Sequence, residues 1–275
     1  MVIDPGIRSI VGYLSGGCIE GVVAQSAMRT LEDGSPQRLV FGRGSPYFDV
    51  KLTCGSRIEI WVERLRPDDE ATGILLEGWQ ARWPMLWSVD LSTGVRECCK
   101  IMGRGNEPGL HASGLLFQMT WAPTPKLIVA GSDPVALAVA DLGLRAGWEV
   151  LLHRPRGAAT IDTHLGAARH HRGDSDDLFA AETIDAWTAI VCTNHDIELD
   201  HVVLVHALSG PAFYVGVLGS RTKLVERRQR LVACNLGPTE IQRLHAPVGV
   251  QIGGKTPYEI AVAIWADLIR TLHHG

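Results

Sequence analysis

Hydrophobic and polar positions divide this chain into two stretches of different rhythm. From Lys126 onward, short apolar runs alternate with longer segments of helical period. Leu127-Ile128-Val129-Ala130 is unbroken, as a parallel strand covered on both faces should be. Residues 134–146 predict a helix with Pro134 in the first turn, where a missing N–H costs little. Residues 150–152, 189–193 and 213–218 predict further strands, and 221–234 and 257–272 predict long helices. Such alternation predicts an α/β fold with a Rossmann-like, doubly wound parallel sheet and right-handed crossovers.

The first part reads as a small mixed α+β domain of strands and turns around one helix. Residues 11–15 predict a short strand, and Ile19, Val22, Val23, Ala27, Met28 and Leu31 fit a helix beginning at about Cys18. An extended segment is expected at 48–54. Residues 57–63 alternate polar and apolar, the signature of a half-buried strand. Residues 85–91 and 95–101, joined by Ser92-Thr93-Gly94, predict a hairpin. The stiff Pro123-Thr124-Pro125 segment marks the boundary between domains 1–122 and 123–275.

Composition narrows the function classes. Hydrophobic residues make up 46% of the 275 positions and charged residues 20%, with a formal net charge of −4. That balance leaves no electrostatic footprint for nucleic acid. The most apolar region, 126–152, is interrupted by Asp133, Asp141, Arg145 and Glu149, which argues against a transmembrane span. The first residues lack the basic flank and apolar core of a secretory signal. Six cysteines show no CxxC or zinc-finger spacing, so reduced thiols in the cytoplasm are expected.

The candidate chemistry begins at Ser15-Gly16-Gly17-Cys18-Ile19-Glu20. Two glycines leave backbone open to a ligand, and a thiol at a helix N-terminus is biased toward thiolate. Glu20 is stabilised in that first turn, although its charge opposes the thiolate. Against this stands the plainer reading of a glycine turn before a small buried cysteine. In the second half, Gly131-Ser132-Asp133-Pro134 takes the place of a dinucleotide fingerprint, but Asp133 replaces its second glycine. The next strand ends in His153-Arg154-Pro155-Arg156, with no acid for a ribose hydroxyl. Those arginines could meet a phosphate or form an ordinary solvated basic turn. NAD(P) is therefore not expected as a cofactor.

Thr193-Asn194-His195-Asp196 follows a strand and so falls at the carboxyl edge of the sheet, where open α/β folds bind ligands. Gly219-Ser220-Arg221 enters a helix at the same edge as a candidate anion site. Near the end, Thr256, Pro257 and Glu259 form a capping box before the last helix.

These blocks together resemble the XdhC/CoxI family, the xanthine dehydrogenase accessory factors of bacterial molybdenum hydroxylases. The resemblance rests on residues 14–20, Thr53-Cys54-Gly55, 193–200, 214–221 and 247–261, in family order along nearly the whole chain. It implies a chaperone that binds the molybdenum cofactor (molybdopterin), protects it during sulfuration and delivers it to an apo molybdenum hydroxylase, rather than an enzyme that turns over a substrate. It further implies a cysteine desulfurase as sulfur source, a homodimer, and a cofactor-binding set of Gly16, Gly17, Cys18, Glu20, Cys54, His195, Asp196, Gly219, Ser220 and Arg221. Cys18, a soft ligand, is the implied contact to molybdenum or its sulfur, with Cys54 a second thiol.

The chain also departs from the family. Members carry a further Gly/Ser/Arg-containing strand before the segment that begins here at Met1. The usual CGG is Cys54-Gly55-Ser56, the usual GAGH is 131–134, the second-strand acid is Arg154, and Asn194 precedes His195. These departures leave the expected fold intact and weigh against a nucleotide. The alternative readings are an NAD(P)-dependent oxidoreductase and a sulfur or acyl carrier with Cys18 as nucleophile.

Overall fold

The computed structural model describes residues 1–4, 9–42, 57–103, 109–110, 114–155, 157, 163–194 and 196–274. They form two compact units, Met1–Ala122 and Pro123–Gly275.

In the first unit, β1 (Val2–Asp4) and β2 (Ser9–Val11) pair antiparallel. The strand expected at 11–15 stops at Val11, the last residue of β2: Gly12, at φ 85°, ends the extended run, and the chain turns toward α1 (Glu20–Asp33). Ile19 and Val23 pack α1 onto Leu39, Phe41 and Val62 of the antiparallel pair β3 (Gln37–Phe41) and β4 (Ile58–Val62). The expected segment at 48–54 lies outside the described residues. A second helix, α2 (Glu70–Gln80), corrects the expectation of one. Its N-cap Asp69 accepts the N–H groups of Ala71 and Thr72, meeting donors that helix geometry leaves orphaned. The expected hairpin is present as β5 (Met85–Asp90) and β6 (Arg96–Lys100). With β7 (Gly109–Leu110) and β8 (Leu116–Trp121) it makes a four-stranded antiparallel sheet, ordered β6-β5-β8-β7. Met85, Trp87 and Val89 alternate into its core beneath Ala71 of α2.

The second unit holds β9 (Lys126–Ala130), α3 (Pro134–Arg145), β10 (Glu149–His153), β11 (Arg169–His171) and α4 (Ser175–Ala181). It continues through β12 (Thr188–Cys192), α5 (Ile197–Ser209), β13 (Tyr214–Val217), α6 (Arg221–Ala233), α7 (Pro238–Gln242), β14 (Leu244–His245) and α8 (Pro257–His274). The six strands are parallel in the order β11-β10-β9-β12-β13-β14. Chain order therefore reverses between β9 and β12, the doubly wound arrangement whose switch point receives ligands.

Side chains of β9 alternate between two cores because successive residues point to opposite faces. Leu127 and Val129 join the layer under α3 and α8, whereas Ile128 and Ala130 join the one that includes α5 and Leu231 of α6. All five β9 residues are buried. At the last helix, Glu259 accepts the N–H groups of Lys255 and Thr256, and Thr256 Oγ1 accepts that of Glu259; the capping box forms as read from sequence.

Candidate functional site

The Cys18 loop is organised by the residue two places after it. Helix α1 begins at Glu20 rather than at Cys18, with Ile19 as an N-cap that supplies no side-chain bond. In its place the Glu20 carboxylate folds back and accepts the N–H groups of Leu14 (3.0 Å), Ser15 (2.7 Å), Gly17 (2.9 Å) and Ile19 (3.1 Å). Ser15 Oγ donates to it as well, at 3.1 Å. The Ser15 amide is the strongest cause that holds this carboxyl at about 2, with the Leu14 amide next among those lowering it. Gly16 and Gly17 stand at φ 75° and 117°, a region that L side chains avoid. A Cβ on either would meet nothing within 4 Å, so the glycines are needed for backbone conformation, and the space around them is open. Cys18 carries a free, exposed thiol at the tip, which excludes the buried-cysteine reading.

Thus Gly16, Gly17, Cys18 and Glu20 act as one element, in which Glu20 turns inward as the brace of the loop. The sequence marks Glu20 as a first-turn acid and, through the family resemblance, as a member of the cofactor-binding set, but not as the brace of its own loop. Its spacing from Ser15 and Gly17 was the available signal. Cys54 lies outside the described residues.

In the second unit, the switch point is closed by a side-chain network. Asp133 caps α3 through Ala136 N and accepts a bond from Thr193 Oγ1 at 3.0 Å. The anomalous aspartate of the glycine turn is therefore a structural cap. Asn194 donates to the Ala130 carbonyl and to Asp200 Oδ1, at 3.2 and 3.1 Å. Asp200, wholly buried in α5, pairs with Arg227 of α6 at 2.8 Å. Burial pushes the Asp200 carboxyl up to about 6, against the opposing pull of Arg227. Arg227 Nε and Nη1 are buried without acceptors among the described residues. Sequence reading missed this pair.

Of the other expected site residues, Asp196 caps α5 by accepting Glu198 N, and Ser220 caps α6 by accepting Lys223 N. With Gly219 they follow the carboxyl ends of the adjacent strands β12 and β13. His195 lies outside the described residues, as does the Arg221 side chain; Arg221 itself opens α6. Among the described residues no three His, Cys, Asp or Glu groups are placed to hold a metal, and no helix is long and apolar enough to cross a membrane.

Arg154 departs from the solvated-turn reading. It is 6% exposed. The preceding His153, on the opposite face of the strand, forms a buried pair with Ser175 through His153 Nε2 and Ser175 Oγ at 3.0 Å. Burial, with His171 alongside, lowers the His153 imidazole to about 4.

Comparison with known proteins places this architecture among relatives. The model of the XdhC Rossmann domain matches residues 127–268, more than half of the chain, and that of the XdhC and CoxI family matches residues 1–42. The molybdenum cofactor insertion chaperone PaoD of Escherichia coli is 26% identical over 96% of this chain and 74% of its own length. A Bacillus subtilis protein named as a probable component of xanthine dehydrogenase is 27% identical over 57% of this chain and 46% of its own length. A crystal structure described as a xanthine dehydrogenase from Bacillus halodurans superposes with a TM-score of 0.69 at 23% identity, over 97% of this chain and 84% of that one; it shares the fold.

Proposed function

We propose, from the premise that this chain belongs to the XdhC and CoxI family, that it is an accessory protein that carries molybdenum cofactor as cargo to a molybdenum hydroxylase. The observation that carries this reading is the alignment along nearly the entire chain with a protein named as a molybdenum cofactor insertion chaperone. The Cys18 loop supports it chemically. Thiolate is a soft donor suited to molybdenum or its sulfido sulfur, and here the thiol is exposed on a loop that Glu20 holds in place. A carrier needs a donor that holds its cargo without enclosing it, and an open glycine loop meets that need. The finer steps belong to the same proposal: protection during sulfuration by a cysteine desulfurase, and delivery to the apo-hydroxylase.

The test is to purify the chain from a cofactor-producing host and measure bound molybdenum and pterin, alongside Cys18→Ser. Near-stoichiometric cargo in the wild type and clear depletion in the variant are expected. Cargo near zero, with no uptake of added cofactor, would overturn the reading.

A further inference from the structure

Arg154 follows β10 directly, and its N–H continues the ladder by donating to the His171 carbonyl at 2.9 Å. Alternation along β10 places it on the same face as Val150 and Leu152, the face covered by α3. Leu152 is also the register partner of His170, so His170 shares that face. A Cβ built on Gly157 would lie 2.6 Å from Arg154 Nε and 3.0 Å from Ser132 Oγ. The guanidinium therefore reaches the turn that enters α3, a helix of 12 residues. Arg172 Nη2 donates to the carbonyl of the same Gly157 at 3.1 Å.

Two nitrogens in this cluster are left unanswered among the described residues. Arg154 Nε and His170 Nε2 are both buried without a hydrogen-bond partner among the described residues. No described carboxylate pairs with Arg154, in contrast to Arg227, which has Asp200. Asp133, the nearest acid in sequence to Ser132, is engaged by Ala136 N and Thr193 Oγ1. A guanidinium that is nine-tenths buried with no counter-charge among the described residues is costly, and an anion that answers its Nε–H removes that cost. Charge-assisted Arg–phosphate bonds are the strong solution to this geometry.

We infer that Ser132, Arg154 and His170 form a phosphate-monoester subsite at the carboxyl end of β10, beside the first turn of α3. A neutral His170 can place its proton on Nε2 and donate to the same phosphate. Asp133 at the helix mouth rejects a pyrophosphate crossing that turn, so the ligand is a phosphomonoester rather than a dinucleotide lying across the helix end. A phosphate on a ribose 2′ position or at a 5′ terminus presents the same chemistry. The subsite does not rest on the molybdenum reading.

The test is calorimetric titration of the cargo-free full chain with inorganic phosphate, 2′-AMP, 5′-AMP and adenosine. Saturable binding of at least one phosphomonoester is expected, with none for adenosine, and the tighter of the two AMP isomers identifies the source of the phosphate. Arg154→Gln should weaken binding about 10-fold or more, as loss of a charge-assisted bond does. Because Arg154 is buried, Ser132→Ala serves as a variant at an exposed position and should weaken binding severalfold with folding unchanged. Absence of saturable phosphomonoester binding to the wild type overturns the inference, as does unchanged affinity in Ser132→Ala together with a folded Arg154→Gln. Molybdenum and pterin content plays no part in this measurement, so the two readings fail separately.

Discussion

Thr193 Oγ1 donates to Asp133 Oδ1 at 3.0 Å, joining the ends of β9 and β12 where strand order reverses. The contact exists because residue 131 has no side chain: a Cβ there would sit 2.0 Å from the same Thr193 oxygen and 3.1 Å from Ala136 Cβ. The first glycine of the turn thus permits a close approach between neighbouring strand ends.

Gly131→Ala should therefore destabilise the second unit by about 1–3 kcal/mol, the usual cost of overpacking. Adding Thr193→Ala should recover part of that loss by removing the nearest atom. Chemical denaturation of the single and double variants checks this, and simple additivity would contradict it.

The Glu20 brace makes a prediction about Cys18. Glu20→Gln keeps the shape but loses the charge that accepts four backbone N–H groups. The loop should loosen, so limited proteolysis between Ser15 and Ile19 should speed up and the Cys18 alkylation rate should change. In the wild type, a folded value of about 2 against an ordinary 4.5 makes the stabilisation complete above pH 4.5. It is lost as pH falls toward 2, so the loop should stay closed throughout the neutral and mildly acidic range.

His153 predicts the pH dependence of the second unit. Its folded value of about 4 lies below the ordinary 6.5, so protons bind the unfolded chain more tightly. The stabilisation is complete above pH 6.5 and is lost as pH falls toward 4, reaching about 3 kcal/mol. Asp200 acts oppositely between 3.8 and about 6, because its raised value favours proton uptake on folding. The informative measurement is the stability difference between wild type and His153→Gln against pH. That difference should shrink on acidification; a flat profile would contradict the assignment.

Asp200 and Arg227 should behave as a unit. Removing one partner, as in Arg227→Met or Asp200→Leu, leaves an uncompensated buried charge and should cost about 3–5 kcal/mol. The double variant should be clearly more stable than the sum of the singles predicts, as a double-mutant cycle would show.

Local pattern alone determined most of the second unit. The apolar runs Leu127–Ala130 of β9 and Ala189–Cys192 of β12 give buried parallel strands because a sheet covered on both faces favours apolar side chains at successive positions. Thr256 and Glu259 announced the last helix because a capping box is closed within four residues. The β5–β6 hairpin was legible for the same reason, while the short strands β11 and β14 carry too few residues to show a period. Helix α2 carried its signal in Asp69, a cap that is visible once the apolar spacing of Ala71, Ile74 and Leu75 is counted. Only the tertiary structure decided the fate of the charged groups. Glu20 turns into its own loop, Arg154 is covered at the sheet edge, and Asp200 meets Arg227 from a different helix. Whether a charge is buried depends on which distant segments converge on it, and no periodicity along the chain encodes that.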